Sequence, residues 1–187
     1  KGKIQKSEGV THTIIITKAD KSTDMCVWEK VQYDHNGFLQ ESEGVTHTRK
    51  ITKPDGSEKT VIWENVNVDN ISLTQDSNGV TKTVITTNPD GSKETKIWEN
   101  VKVGYYYGCV IASEGVTYKE ITTKADGSEK KFIWEDVNVG NYGSFLESEG
   151  VTKTIITTKK DGSSTETIWK NVKVDNNGSF LESEGVT

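Results

Sequence analysis

The chain has 187 residues, of which 32% are hydrophobic and 27% are charged, and its formal net charge is −5. This hydrophobic content is low for one globular core, and the acidic balance excludes the excess of Lys and Arg that nucleic-acid-binding surfaces carry. No apolar run approaches the roughly 20 residues that a membrane-spanning helix needs, so we expect neither nucleic-acid binding nor membrane insertion.

One pattern returns along the whole chain at intervals of 35 or 36 residues. Its Gly-Val-Thr glycines are Gly9, Gly44, Gly79, Gly115, Gly150 and Gly185, and its tryptophans are Trp28, Trp63, Trp98, Trp134 and Trp169. Self-similarity at a fixed period is typical of stacked repeats. The predicted units are a lead-in (1–6), repeat 1 (7–41), repeat 2 (42–76), repeat 3 (77–112), repeat 4 (113–147), repeat 5 (148–182) and the start of repeat 6 (183–187). We expect the sequence to be a segment of a longer or processed chain, because it stops within a repeat.

Repeat 1 is the most divergent copy. Its turn reads Ala19-Asp20-Lys21, with Lys where the other repeats have Gly, which is typical of a capping unit. Cys26 lies in a strand of this repeat, whereas Cys109 lies in the link of repeat 3. Two cysteines are too few for a disulfide scaffold, and a single Cys26–Cys109 bridge, as secreted proteins form, stays open.

Repeats 2 and 5 each contain an N-glycosylation sequon in the Asn-rich link that follows the hairpin. The sequons are Asn70-Ile71-Ser72 and Asn177-Gly178-Ser179. This motif is glycosylated on surface loops of secreted proteins. Asn70 and Asn177 are therefore candidate glycosylation sites.

Repeat 3 shows the shared hairpin most clearly. Residues 81–87 are rich in Thr, Val and Ile, whose branched side chains favour an extended strand. Pro89 presets the first turn corner, Asp90 suits the second, and Gly91 adopts positive φ at little cost. Residues 97–103 supply a second strand. The same turn residues recur as Asp55, Gly56, Asp90, Gly91, Asp126, Gly127, Asp161 and Gly162.

A loop formed by Pro89, Asp90 and Gly91 determines which residues of the two strands face each other. It places Lys82 opposite Trp98. In every repeat, the same register pairs the Trp with a cation-capable or aromatic residue: His12–Trp28, His47–Trp63, Lys82–Trp98, Tyr118–Trp134 and Lys153–Trp169. Such a pair contributes roughly 0.2 to 1 kcal/mol, which favours one register but cannot hold a domain together.

A short apolar piece such as Phe145-Leu146 follows each hairpin, and we predict a short third strand there that packs beneath neighbouring hairpins. Three all-β architectures fit these tandem hairpin repeats. The first is a linear array that extends one sheet, the second is a β-solenoid with one repeat per rung, and the third is a closed five-bladed β-propeller. A propeller blade normally has four strands in about 40 or more residues. The linear array is therefore preferred, the β-solenoid stays open beside it, and the propeller is the alternative.

The sequence contains no catalytic constellation, and we predict no enzyme activity, no cofactor and no metal. His12 and His47 occupy matching positions, but the same column holds Lys82, Tyr118 and Lys153, so no repeated metal site is encoded. The Asp-Gly turns lack the carboxylate density of a calcium loop, and turn chemistry explains them without an ion.

The repeated Trp has two interpretations. In the first, it is a platform for sugar rings whose repetition gives avidity. In the second, it packs on the facing strand or between repeats and sets their spacing. The facing Lys and His residues favour packing.

The hairpin of repeat 3 resembles β-hairpins in the amino-terminal region of lepidopteran silk fibroin heavy chains. The likeness rests on residues 82–87, the Asp90-Gly91 turn, Ile97 and Val101. Repetitive bacterial surface proteins share the same Asp-Gly-Ser/Thr hairpins. No function follows from either likeness.

The sequence favours a secreted or cell-surface structural protein, a segment of a self-assembling fibre, matrix or adhesive stalk. Its partners would be copies of the same chain, because the edge strands of a regular array accept another strand. The alternative function is a multivalent glycan-binding module that uses one Trp per repeat.

Overall fold

The computed structural model describes residues 7–71, 74–104 and 109–181. Its strands are β1 (Ser7–Thr17), β2 (Thr23–Tyr33), β3 (Leu39–Gln40), β4 (Ser42–Thr52), β5 (Glu58–Val68), β6 (Ser77–Thr87), β7 (Lys93–Gly104), β8 (Cys109–Ile111), β9 (Ser113–Thr123), β10 (Glu129–Val139), β11 (Ser148–Thr158) and β12 (Ser164–Val174). Within these ranges one 3₁₀ turn is present, at Asn141–Gly143. No helix in these ranges is long and apolar enough to cross a membrane.

All twelve strands belong to one sheet, in which the ten long strands follow one another in chain order from β1 to β12. Every pairing is antiparallel, so each repeat adds one hairpin to the same sheet. The predicted all-β extended sheet is confirmed. Among the described residues β1 and β12 are its two edges and do not pair, so the sheet is open and is not a closed propeller.

The hairpin tips have the predicted turn. In repeat 3 the Gly91 amide donates to the Asn88 carbonyl at 3.0 Å, and Gly91 has a φ of 84°. The Asp90 carboxylate accepts bonds from the Ser92 amide at 2.9 Å and the Ser92 hydroxyl at 2.7 Å. In repeat 1, Lys21 occupies the glycine position at a φ of 68°, so the divergent copy keeps the turn geometry.

The strands are longer than the sequence predicts. In repeat 3 they begin at Ser77 and Lys93, whereas the predicted segments begin at residues 81 and 97. Cross-strand pairing extends order into these polar stretches, with Thr87 opposite Lys93 near the tip and Ser77 opposite Val103 at the other end. The Ser-Glu-Gly-Val-Thr motif is therefore part of a strand.

Two bulges interrupt each hairpin, one on each strand. In repeat 3 they lie at Gly79 and Asn100, whose φ angles are 65° and 64°, and the register shifts on both sides of the Val80–Val101 pair. One extra residue on each strand restores the original register. The residues that follow the bulges therefore stay on the same face as Trp98. The other repeats place Gly9 and Lys30, Gly44 and Asn65, Gly115 and Asp136, and Gly150 and Asn171 at these positions.

The core is a stripe of valines that runs across the sheet beside the bulges. Val80 and Val101 are completely buried, as are their counterparts in the neighbouring repeats. The links fold against this stripe through β3, β8 and the isolated bridges Val68–Thr74, Val139–Phe145 and Val174–Phe180. These are the predicted short third strands, some of them reduced to one bridge.

A buried serine connects each of four links to its hairpin. The Ser77 hydroxyl accepts a bond from the Asn67 amide and donates to the Gln75 carbonyl, both at 2.9 Å. The same pair of bonds recurs at Ser42, Ser113 and Ser148. These four serines are no more than 4% exposed, and their hydroxyls satisfy backbone groups at the partly buried junction of link and hairpin.

No disulfide joins the two cysteines. Cys26 lies on β2, and Cys109 lies on β8, which pairs with β7. Strands β4, β5 and β6 separate β2 from β7. At about 4.8 Å per strand, β2 and β7 lie roughly 20 Å apart, about three times the longest Cα separation that a disulfide spans. The Cys26–Cys109 bridge is therefore excluded within one chain.

Candidate functional surface: the tryptophan ladder

Ten side chains form one continuous row across the sheet, on the face of the valine stripe. The five pairs within hairpins are the predicted ones, with Lys82 opposite Trp98 as an example. The junctions between repeats extend the row, because each of the first four Trp residues also faces the corresponding residue of the next repeat. We call this row the tryptophan ladder; its order is His12, Trp28, His47, Trp63, Lys82, Trp98, Tyr118, Trp134, Lys153 and Trp169.

Ring and cation contacts connect seven of the nine successive pairs in the ladder. The rings of Trp28 and His47 are stacked, with centroids 4.8 Å apart and planes 6° from parallel. The Lys82 ammonium lies 4.6 Å from the ring of Trp63 and 5.2 Å from that of Trp98, so one cation contacts two indoles. The negative ring faces attract the ammonium in place of the water that it loses.

Burial changes the proton affinity of several ladder members. It lowers the pKa of Lys82 and of Lys153, because a dry environment disfavours the ammonium. It lowers the pKa of His47 for the same reason, with the neighbouring Arg49 charge acting in the same direction. Burial raises the pKa of Tyr118, which lies between two indoles.

The link turns cover the ladder from the next repeat. Trp98 donates its indole N–H to the Gly143 carbonyl at 3.1 Å, and Trp134 donates to the Gly178 carbonyl at 3.3 Å. In each case the carbonyl belongs to the link of the repeat that follows the Trp. Phe145 adds an edge-on contact to Tyr118, with ring centroids 5.0 Å apart at 88°. The turn approaches so closely that a Cβ at position 143 would lie 2.8 Å from the Trp98 Nε1 atom.

The link turns that lie over the indoles determine how much indole surface is open to a ligand. Trp98 and Trp134 are only 8% and 6% exposed, which leaves no open ring face on which a sugar could stack. Trp28, Trp63 and Trp169 are half-buried. For Trp98 and Trp134 the geometry supports the packing interpretation, in which the indole joins one repeat to the next.

The histidines do not converge on a common site. His12 Nδ1 lies 2.7 Å from the Tyr33 hydroxyl, and the buried Nε2 of His47 has no hydrogen-bond partner in the structure. His35 is exposed in the link of repeat 1. Within the described ranges, no group of three or more His, Cys, Asp and Glu side chains could hold a metal ion.

The turn carboxylates are engaged in their own turns. Bonds from the Ser92 hydroxyl and amide hold the pKa of Asp90 below its usual range, and the same bonds act on Asp20, Asp55, Asp126 and Asp161. A groove of about 480 Å³ lies between two neighbouring tips and is lined by Asp90, Lys93 and Lys124, among others. Its polar residues come from two turns of the same kind and form no catalytic arrangement.

The two candidate glycosylation asparagines are exposed. Asn177 lies at the tip of a link turn, where its backbone amide donates to the Asp175 carboxylate at 2.8 Å. Asn70 precedes Ile71, which is 68% exposed. Ser72, the third residue of that sequon, lies outside the described residues.

Two groups of residues have roles that were not predicted from the sequence, the buried serines and the asparagines at the bulges. Both had a signal, since a Ser precedes Glu-Gly-Val-Thr in four of the five full repeats and Asn or Asp follows Trp by two residues in four of the five. Their roles depend on backbone groups of other strands. The side-chain amide of Asn100, for example, donates to the Gly115 carbonyl at 3.2 Å. Comparison of the chain with protein-family models, curated proteins and solved structures finds no match.

Proposed function

We propose that this chain is a secreted structural protein, a segment of a self-assembling extracellular fibre, matrix or adhesive stalk, and that it has no catalytic role. The observation that carries this proposal is the unbroken tryptophan ladder. The same register joins strands within repeats and between repeats, so one structural rule extends the sheet by any number of copies. Repetition of this kind serves length and stiffness.

The dimensions fit a spacer or a fibre unit. Ten long strands at about 4.8 Å each give a sheet roughly 45 Å long, and each further repeat adds roughly 10 Å. Backbone hydrogen bonds between strands, the indoles that lie under the next link and the valine stripe connect neighbouring repeats. Stiffness then comes from contacts between adjacent repeats, so added copies do not weaken the array.

The surface chemistry is compatible with a soluble precursor. Lys50 and Glu58 form an ion pair at 2.7 Å, and Lys173 reaches Glu147 at the same distance. Such exposed pairs contribute little stability, but interspersed charges of both signs oppose indiscriminate association of sheet faces. The exposure of Asn70 and Asn177 supports a secretory route, because N-glycans are added to surface loops.

Sedimentation velocity and negative-stain electron microscopy of the chain over a wide concentration range test this proposal. We expect elongated particles that lengthen along one axis as the concentration rises. Compact particles of constant mass at every concentration would contradict it. A Trp fluorescence change on titration with oligosaccharides would then favour the alternative, a glycan-binding module that uses its half-buried indoles.

A further inference from the structure

We propose that copies of this chain join head to tail, with β12 of one copy pairing with β1 of the next copy in the register that joins successive repeats. This inference rests on the proposed structural function and names the partner and the surface of assembly. The partner is a second copy of the same chain. The two surfaces are the opposite edges of the described sheet.

The register is taken from four junctions inside the chain: β2–β4, β5–β6, β7–β9 and β10–β11. Each junction has seven consecutive residue pairs at equivalent positions. At the β10–β11 junction, Trp134 faces Lys153 and Ile133 faces Thr154. The same rule places Trp169 opposite His12 of the next copy and Ile168 opposite Thr13 of the next copy.

The two edges expose apolar side chains that interior junctions cover. On β1, Ile15 and Ile16 are 62% and 55% exposed, and on β12 Ile168 is 49% exposed. Ile85, which is equivalent to Ile15, and Ile133, which is equivalent to Ile168, lie in the interior of the sheet and are half-buried. An edge strand with unpaired backbone groups and exposed isoleucines is a template for another strand. The proposed register also sets no like charges directly opposite each other.

The Trp169 site is incomplete within the described residues of one copy. Trp98 and Trp134 each donate to a glycine carbonyl from the link of the following repeat. The described part of the chain has no repeat after β12 to supply this carbonyl to Trp169. A second copy would supply it from the link of its repeat 1.

Gly37 is the residue of that link which matches Gly178. The Gly37 amide donates to the Asp34 carbonyl at 3.1 Å, as the Gly178 amide donates to the Asp175 carbonyl at 3.0 Å. Gly37 and Gly178 also share positive φ angles of 82° and 70°. In the assembled pair, the Gly37 carbonyl of the next copy accepts the Trp169 indole N–H.

The ladder would then continue across the contact. His12 of the next copy would lie between Trp169 and its own Trp28, as His47 lies between Trp28 and Trp63. The pairs used in the test involve residues 12–17 of β1. They do not depend on residues 182–187, which lie outside the described ranges.

Engineered disulfides test the register. In a chain carrying Cys26→Ser and Cys109→Ser, we introduce Thr13→Cys and Ile168→Cys together and oxidise the protein mildly. These positions are too far apart within one copy to react, so we expect dimers and higher multimers on non-reducing gels. The matched control is Ile133→Cys with Thr154→Cys, an interior pair at the same position, which should give an internal bond at monomer mass.

An off-register pair separates this proposal from indiscriminate association. Ile15→Cys with Ile168→Cys moves one partner by two residues, and we expect at least tenfold slower cross-linking. Equal rates for the two pairs, or equally rapid dimers of the chain with Thr13→Cys alone, would overturn the proposed register. On association, hydrogen exchange of the Trp169 indole N–H should also slow.

The outcomes distinguish the two proposals. If microscopy shows filaments but the cross-links are off-register or absent, the head-to-tail register is wrong and the structural function stands. If sedimentation shows only monomers at every concentration and no multimers cross-link, both self-assembly and this contact are wrong. Multimers that form only with the in-register pair support both.

Discussion

Trp98 donates its indole N–H to the backbone carbonyl of Gly143, 45 residues later in the chain, at 3.1 Å. The bond joins repeat 3 to the link of repeat 4, and Trp134 and Gly178 repeat it one unit further on at 3.3 Å. Repeats 4 and 5 thus complete the burial of the Trp in the repeat before them. Since neighbours supply one another's burial, stability is shared along the array as in other repeat proteins.

The Trp98–Gly143 contact predicts a large effect of a small substitution. Gly143→Ala should lower the free energy of unfolding by about 2 to 5 kcal/mol. The alanine would have to keep the left-handed backbone conformation of Gly143, and its Cβ would overpack against the Trp98 indole. Gly127→Ala is the matched control, since its φ is 85° and no atom lies within 4 Å of the added Cβ. It should cost about 1 to 2 kcal/mol. Urea unfolding measures both, and equal losses would show that the indole contact adds nothing.

The buried serine of repeat 3 predicts a cost from unpaired backbone groups. Ser77→Ala removes the partner of both the Asn67 amide and the Gln75 carbonyl and should cost about 2 to 4 kcal/mol. Ser92→Ala at the exposed tip should cost less than about 1 kcal/mol, because water replaces the lost bonds. Faster hydrogen exchange of the Asn67 amide in the first variant would locate the effect. A loss at Ser77 no greater than at Ser92 would refute it.

The divergent turn of repeat 1 predicts a stabilising substitution. Lys21 holds a φ of 68°, a conformation that costs a residue with a Cβ roughly 1 to 2 kcal/mol. Lys21→Gly should therefore raise the free energy of unfolding by about 1 kcal/mol, after the entropy cost of glycine. Gly56→Lys, the reverse change at the equivalent position, should lower it. Thermal unfolding of the two variants checks the opposite signs, and a destabilised Lys21→Gly chain would contradict this account.

His47 predicts a loss of stability in mild acid. Burial lowers the pKa of His47 in the folded chain, so below about pH 6.5 the unfolded chain binds the proton more readily than the folded one. The free energy of unfolding should then fall between pH 7 and pH 5, by at most about 1.4 kcal/mol per pH unit. A protonated ring would also carry a buried N–H at Nε2, where the neutral ring has no partner.

Urea unfolding at several pH values tests the role of His47. His47→Phe keeps an aromatic ring beside Trp28 and should flatten this part of the pH profile. His35→Gln, in an exposed link, should leave the profile unchanged. An identical slope in the original chain and in His47→Phe would assign the pH dependence to other groups.

Local signals were enough to predict the hairpins. The Asn88-Pro89-Asp90-Gly91 turn and the Thr-, Val- and Ile-rich strands define the loop length, and the loop length places Lys82 opposite Trp98, as the structure has it. Turn chemistry acts over four residues and side-chain alternation acts along one strand, so both can be read from the sequence. The repeat period likewise predicts that each hairpin meets an equivalent neighbour.

Only the tertiary structure decided what lies against the ladder. No local pattern places the Gly143 carbonyl over Trp98, or puts Cys26 and Cys109 several strands apart, because these relations depend on how the paired bulges and links bring repeats together. Closure into a propeller likewise depends on a long-range contact, the pairing of β1 with β12, which the described sheet does not have. The sequence by itself determined the repeating hairpin and its register. Contacts between residues distant in the chain determined which indoles are buried, because burial is a property of neighbours in space.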